Sequence, residues 1–432
     1  MIKKMMLGAA VLLAGWAGNL AAAEPEFFLK NHDRVVFLGD SITEQRLYTT
    51  YVEAYALTRF PAWNLTFRNV GWGGDTAWLR QRAHPDEGAL FAAPDAAQQA
   101  MVEKAVGTGL ARDVLPLKPT VVTIDFGMND HSYQAFREDI FKAHVRSQAE
   151  LVKVLTANGA RVALLTSQPI EERRPDPDQD VRNQSLRKFA DGLKNVAAQQ
   201  NVRFVDQFAP YMAIMMHARA AKADAFVGGG DAVHPGQVGH TIMAWAILKG
   251  LDAPALVASA TFDVTRWFLR GKLVESQQCR VQNVKYADGV LSFDRLADAL
   301  PMPVDARAEA ALTLAPILDD LNRDILTVVG LKADRYEVVI DGTVVATVAA
   351  ADLAKGWNLA AVATPDSRQA REVLDLVFTK NNLYSDRWRG VQLSGGAPEK
   401  LAELDQKIAG LEAQINAARQ PKSHHFDVRP VK

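Results

Sequence analysis

The stretch VVFLGDSITEQ, residues 35–45, runs four apolar residues straight into Gly-Asp-Ser and then into a helical pattern. Ser41 is either a helix cap or a nucleophile held at the end of a strand. A serine hydroxyl is a poor nucleophile until a base takes its proton, and that base needs a third group to fix its tautomer. DAVHPGQVGH, residues 231–240, supplies both types. Asp231 and His234 stand three apart in a Pro-punctuated loop, so one short segment can present a carboxylate to an imidazole. A carbonyl under attack develops negative charge that preorganised N–H donors must meet. NVGWGGDT (69–76) offers the backbone of Gly74, DFGMND (125–130) offers the Asn129 amide, and the Ser41 N–H is a third donor. Taken singly, each has a plainer reading: a cap, a turn at Asn129-Asp130, a structural Asp-x-x-His, a tight turn at Gly73-Gly74. All four, in this order and each at a strand end or adjoining loop, read as acyl-transfer machinery.

The elements that must position these residues alternate from 34 to 250. RVVFL (34–38), LTFRNV (65–70), TVVTIDF (120–126), RVALLTS (161–167) and VRFVD (202–206) are short apolar or β-branched runs separated by longer helical stretches. One of these, 141–159, ends in Asn158-Gly159, a helix stop just before the next strand. Strand and helix at this rhythm read as an α/β fold, a parallel sheet covered on both faces. Such sheets bind ligands at the carboxyl ends of their strands, where Gly-Asp-Ser sits.

With these blocks in place the chain resembles the SGNH hydrolases, also called the GDSL esterase/lipase family. GDSIT (39–43) carries the Ser, NVGWGGDT the Gly, GMND (127–130) the Asn and DAVHP (231–235) the Asp and His. Isoleucine follows the serine where the family name records leucine. The resemblance covers roughly 30–250. It implies a flavodoxin-like three-layer sandwich, Ser41 as nucleophile, His234 as base, Asp231 as its partner, and an oxyanion hole from Ser41, Gly74 and Asn129. The implied activity is that of a serine hydrolase acting on carboxylic esters, with no metal or cofactor. The sequence adds no HExxH or CxxC spacing and no Walker loop.

The resemblance also guides the substrate. Family members outside the cytoplasm with an added domain often remove acetyl groups from polysaccharides, so a carbohydrate O-acetylesterase is the first expectation. A lipase, lysophospholipase or thioesterase, an O-acetyltransferase, and a non-enzymatic binding protein on an inactive fold are the alternatives. Trp72, two residues before Gly74, is either a stacking face for a sugar ring or part of the sheet–helix packing.

Composition bounds the rest. At 432 residues the chain is too long for one ordinary core. It is 48% hydrophobic and 23% charged with a formal net charge of -1, which gives no field to draw nucleic acid. Residues 1–23 read as a signal peptide: Lys3 and Lys4, a short apolar run at 6–18, and a small-residue site at 21–23. That implies a periplasmic or secreted mature chain from Glu24, without a membrane span. The lone Cys279 excludes an internal disulfide.

The hydrolase domain is expected over 24–254, a β-rich accessory region over 255–365 and a helical segment over 366–432. Asp288-Gly289 and Asp341-Gly342 each sit between alternating runs and predict antiparallel hairpins, with a helical stretch near 305–322 between them. Leu404, Ile408, Leu411 and Ile415 form a seam only about two heptads long, so the helix is expected to pack on its own protein. Trp357, Tyr384 and Trp388 are read as core residues in preference to loop aromatics that hold sugars, and the tail 421–430, with its two adjacent histidines, as a solvated end rather than a metal site.

Overall fold

The structure is a computed structural model that describes residues 26–173, 176–265 and 273–431. The expected signal segment lies outside these residues.

Five strands, β1 (Arg34–Gly39), β2 (Thr66–Asn69), β3 (Val121–Asp125), β4 (Arg161–Leu165) and β5 (Arg203–Val205), form a parallel sheet in the order β2-β1-β3-β4-β5. Side chains alternate faces along a strand, so a sheet covered twice needs apolar residues at every position. In β1, Val35 and Phe37 enter one core with the helices Leu47–Arg59 and Gln237–Gly250. Val36 and Leu38 enter the other, with the helices Asp95–Asp113, Glu138–Ala157 and Val181–Gln200. The helix expected to stop at Asn158-Gly159 ends at Ala157, and Gly159 takes φ +83°. The strand order reverses between β1 and β3, so the crevice of this sheet opens at the end of β1.

The C-terminal part builds two further sheets. β6 (Leu256–Asp263), β7 (Leu273–Gln277), β8 (Cys279–Ala287), β9 (Val290–Ala297), β10 (Arg323–Val329), β11 (Arg335–Ile340), β12 (Thr343–Ala349), β13 (Trp357–Asn358) and β14 (Ser423–Pro430) pair as β13-β10-β6-β7 and β12-β11-β14-β9-β8. Both Asp-Gly hairpins are present, β8–β9 and β11–β12. The region is not purely antiparallel, because β6 pairs with β10 in parallel. Ala258, Ala260 and Phe262 of the first sheet meet Phe293, Val338 and Phe426 of the second in a separate core.

The tail corrects the sequence reading. Residues 423–430 are not a solvated end but β14, a central strand between β11 and β9. Its Phe426 and Val428 point into the core while His424 and His425 pair with carboxylates, His424 Nδ1 with Asp341 (2.6 Å) and His425 Nδ1 with Asp294 (2.6 Å). The alternation was present in HFDVRP, but polar neighbours and the position at the chain end masked it.

Two helices, Pro365–Ser385 and Pro398–Ala418, form a hairpin against the β2 edge of the parallel sheet. Covering an edge strand removes a row of unpaired backbone groups from solvent. The hairpin serves both layers. Val373, Val377 and Ile415 join the first core, and Tyr384, Trp388 and Ile408 join the second. Of the short seam, Ile408 and Ile415 are buried in this way, and Leu404 is buried as well. Among the described residues no helix is long and apolar enough to cross a membrane.

Candidate active site

β1 ends at Gly39, where a Cβ would lie 2.7 Å from the Asp125 carbonyl, so only glycine lets β1 and β3 approach here. The cap of the following short helix, Ser41–Glu44, is Asp40: its Oδ1 accepts the Ile42 N–H at 2.9 Å. Ser41 is therefore free of capping duty. Burial, reinforced by Asp125, Asp130 and Asp75, holds the Asp40 carboxyl well above the usual carboxylate range.

Ser41 Oγ lies 2.9 Å from His234 Nε2, and His234 Nδ1 lies 3.2 Å from Asp231 Oδ2. The loop that delivers the pair is closed by the Asp231 N–H donating to the His234 carbonyl (3.0 Å) and by a bridge between Gly230 and Pro235. Asp231 Oδ1 accepts the N–H groups of Val233 (2.8 Å) and His234 (2.7 Å). Partial burial works against the charged form, but those two amides and the imidazole outweigh it and leave the Asp231 carboxyl below its ordinary value. His240, the other histidine of this segment, is no competing base. It is buried and stacked on Tyr48, with Nε2 2.7 Å from Gln45 Oε1; burial, then the charge of His234, pushes it down to about 3.

Asn129 lies in the turn that follows β3. One of its amide hydrogens goes to the Asp75 carbonyl (3.0 Å), which leaves the other to donate elsewhere, and its Oδ1 accepts the Tyr133 hydroxyl at 3.0 Å. Gly74 adopts φ +75°, a left-handed conformation that suits glycine. Arg80 Nε donates to the Gly74 carbonyl at 3.0 Å. Asp130 laces the second and third blocks together: it accepts the N–H of Ala77 (3.0 Å) and of Gly127 (3.1 Å) and lies 2.6 Å from His144 Nδ1. Ser41, His234 and Asp231 are thus hydrogen-bonded in line at the end of β1, an arrangement able to move a proton from Ser41, and Asn129 keeps one amide hydrogen available to donate.

Trp72 is placed differently from the other candidates. Its ring is surrounded by cations: Arg389 at 4.2 Å, Arg112 at 5.1 Å and Arg82 at 5.5 Å from the centroid, with Trp388 edge-on at 6.0 Å. Four neighbours of the site escaped sequence reasoning: Glu44, Arg80, Tyr133 and Arg389. Glu44 lay inside the quoted GDSITE stretch, but nothing in its spacing revealed its partner.

Residues 37–242 match the GDSL-like lipase/acylhydrolase family. Among solved structures, the chain is similar to BT4096, a gut microbial diltiazem-metabolizing enzyme, at 25% identity over 93% of this chain and 98% of that one, with a TM-score of 0.77. Partial likenesses are found to Axe2, an acetylxylan esterase from Geobacillus stearothermophilus (22% identity, 51% of this chain, 94% of that one, TM-score 0.39), and to LAE5, an α/β hydrolase from the metagenome of Lake Arreo, Spain (21%, 52%, 98%, 0.40). No curated protein matches. The likeness to BT4096 extends through the C-terminal sheets and helices, so the two-part chain has a counterpart among known folds.

Proposed function

We propose, from the premise that the chain belongs through residues 37–242 to the GDSL-like lipase/acylhydrolase family and is a carboxylic ester hydrolase, that it is an exported serine esterase removing acetyl groups from carbohydrate. Ser41 is the nucleophile, His234 the base and Asp231 its orienting partner. The Ser41 N–H, the Gly74 N–H and the Asn129 amide form the oxyanion hole. The observation that carries this reading is the unbroken chain Ser41 Oγ–His234 Nε2–His234 Nδ1–Asp231 Oδ2, at 2.9 and 3.2 Å.

The reaction runs in two halves. Ser41 Oγ bonds to the ester carbonyl carbon while its proton passes to His234 Nε2, and the carbonyl electron pair moves onto the oxygen held by the N–H donors. The intermediate collapses, the C–O bond to the alcohol breaks, and His234 returns the proton to that alcohol. Water, deprotonated by His234, then attacks the acyl-Ser41 ester. The acid leaves and the proton goes back to Ser41. Asp231 steadies the imidazolium formed in each half.

The acetyl and carbohydrate assignment draws on the family resemblance, and export on the N-terminal sequence pattern. The test is the purified chain from Glu24 onward with nitrophenyl acetate, butyrate and octanoate, with Ser41→Ala alongside. Activity that falls with acyl length and disappears in Ser41→Ala supports a deacetylase, to be followed by acetylated polysaccharides and by diltiazem. Activity rising with acyl length moves the assignment to lipids or thioesters. Transfer of acetyl to an added sugar, faster than hydrolysis, makes the protein an acetyltransferase. Fractionation of the native host checks export: mature protein confined to the cytoplasm removes that part of the proposal.

A further inference from the structure

Arg389 is where the C-terminal region reaches the loop that presents Gly74. The helix Pro365–Ser385 runs on into a π-helical turn, Asp386–Gln392. Such turns are rare and concentrate at functional sites, because the wider turn takes side chains out of α-helical register. Here it buries Trp388, 3% exposed, and sets Arg389 beside the nucleophile helix. The Arg389 guanidinium lies 4.2 Å from the Trp72 ring centroid, and its Nη2 lies 3.2 Å from Glu44 Oε1. The second oxygen of that carboxylate, Oε2, accepts the Gly73 N–H at 2.7 Å. Glu44 closes the short helix that Ser41 opens, while Trp72 and Gly73 lead directly into Gly74.

The need for such a contact follows from the sequence of the loop. A Cβ at Gly71 would lie 2.3 Å from the Glu44 N, so the loop packs directly on the nucleophile helix, while Gly73 and Gly74 carry no side chain to anchor the donor, which is held by contacts from outside the loop: Arg80 on the Gly74 carbonyl and Glu44 on the Gly73 N–H. Arg46 adds a second tie to the same region, donating from Nη1 to the Glu44 carbonyl (2.6 Å) and to Ser385 Oγ (3.1 Å), and from Nε to Asn382 Oδ1 (3.0 Å).

We infer that Arg389, Glu44 and Trp72 form a clamp through which the C-terminal helical region fixes the Gly74 N–H relative to Ser41. This rests on the oxyanion-hole reading given above. Arg389 is a positioning residue: its Nη2 pairs with Glu44 and its guanidinium lies over the Trp72 face, so it acts on the reaction through the loop. A misplaced donor weakens transition-state binding more than ground-state binding, so the loss falls on kcat.

The experiment is Arg389→Met and Glu44→Gln, singly and together, in the full chain with nitrophenyl acetate. Each single variant is expected to lower kcat about tenfold, with KM nearly unchanged and the melting temperature close to that of the parent. The double variant is expected to lose no more than the worse single one, since both cut the same connection. Arg389→Lys, which keeps the charge, should recover part of the rate. Backbone amide exchange over residues 70–76 should quicken in Arg389→Met. Additive losses, a raised KM at unchanged kcat, or a kcat unchanged in both single variants overturns the clamp. Should Arg389→Met fail to fold, Arg389→Lys and Glu44→Gln carry the same comparison. Ser41→Ala separates the two readings. If it retains activity, the reading of Ser41 as nucleophile, on which the clamp rests, fails; if it is inactive while Arg389→Met turns over at the parental rate, only the clamp fails.

Discussion

Lys380 Nζ lies 2.5 Å from Glu53 Oε1, with neither side chain more than 3% exposed. Lys380 belongs to the helix Pro365–Ser385 and Glu53 to the helix Leu47–Arg59 that follows the nucleophile block. Asn381 completes the junction, donating to Glu53 Oε2 and Thr50 Oγ1, both at 2.9 Å. Burial pulls the Lys380 ammonium below its ordinary value, and Glu53 opposes that shift. Removing one member of such a pair strands a buried charge, at a cost of about 3–5 kcal/mol. Lys380→Met alone is therefore expected to destabilise the protein strongly, and Lys380→Met with Glu53→Leu to restore most of the loss, as read from urea midpoints. A single variant as stable as the parent would refute the buried pair. The same junction makes the C-terminal helices part of the catalytic layer. A chain ended at residue 254, which removes both C-terminal sheets together with the helices, should then be insoluble or inactive even toward a small ester, whereas a detachable binding module would leave that activity intact.

Tyr133 occupies a conformation that side chains rarely adopt. Ser132 and Tyr133 have φ +53° and +54°, consecutive left-handed residues, which cost of order 1 kcal/mol or more each and persist where surroundings enforce them. The result is a phenol 41% exposed at the site whose hydroxyl donates to Asn129 Oδ1 at 3.0 Å. Burial, then the nearby Asp40, pushes that hydroxyl up to about 12, so it stays a donor across the working pH range. By polarising the amide and holding its remaining N–H in place, Tyr133 would serve Asn129 in the proposed oxyanion role. Tyr133→Phe should lower kcat roughly two- to tenfold, the worth of one hydrogen bond of about 0.5–1.5 kcal/mol, with KM and melting temperature little changed. A kcat equal to the parent's shows that the hydroxyl is dispensable.

The catalytic half was legible because each piece has a local signature. Apolar runs marked the strands, and of the short blocks at their ends the structure joins Ser41, His234 and Asp231 in one hydrogen-bonded line, with Asn129 tied to the Asp75 carbonyl. What stayed hidden depends on contacts far apart in sequence. Nothing near Glu44 announces Arg389, and nothing in the helix Pro365–Ser385 announces that Lys380 will meet Glu53. Trp72 shows the same limit, since its cationic neighbours come from three separate segments. β14 was missed for a related reason: a strand buried on one face and charged on the other looks like a solvated tail until its two neighbours, β11 and β9, are known.

Asp125, at the end of β3, is 4% exposed and accepts the Gln207 amide at 3.1 Å. Burial raises its carboxyl to about 7, against partial relief from Gln207 and Tyr48. The folded state thus binds a proton that the unfolded chain, with its ordinary carboxyl near 4, releases earlier. This stabilising contribution is fully present below about pH 4 and is lost as pH rises through about 7. Asp125→Asn keeps an acceptor for Gln207 and removes the titration. The variant should gain stability relative to the parent between pH 5 and pH 8, by a few kcal/mol in urea midpoints. A difference between the two proteins that is flat over that range contradicts the assignment.

Asp231 yields an ordering of variants that a merely structural carboxylate would not give. Its Oδ1 accepts two backbone N–H groups and only Oδ2 faces His234 Nδ1. In Asp231→Asn the carbonyl oxygen must stay on the two amides, because an NH2 there would set donor against donor. The NH2 then faces His234 Nδ1, which becomes an acceptor and leaves the ring proton on Nε2. An imidazole protonated at Nε2 cannot take the Ser41 proton, so kcat should fall by roughly a thousandfold or more. Asp231→Ala imposes no tautomer. The Asp231 side chain is 67% exposed, so solvent can reach Nδ1 and stabilise the productive form in part. The isosteric Asn variant is thus expected to be less active than the truncated Ala variant. Steady-state kcat on nitrophenyl acetate decides it, and an Asn variant equal to or faster than Ala would show that Asp231 does not set the tautomer of His234.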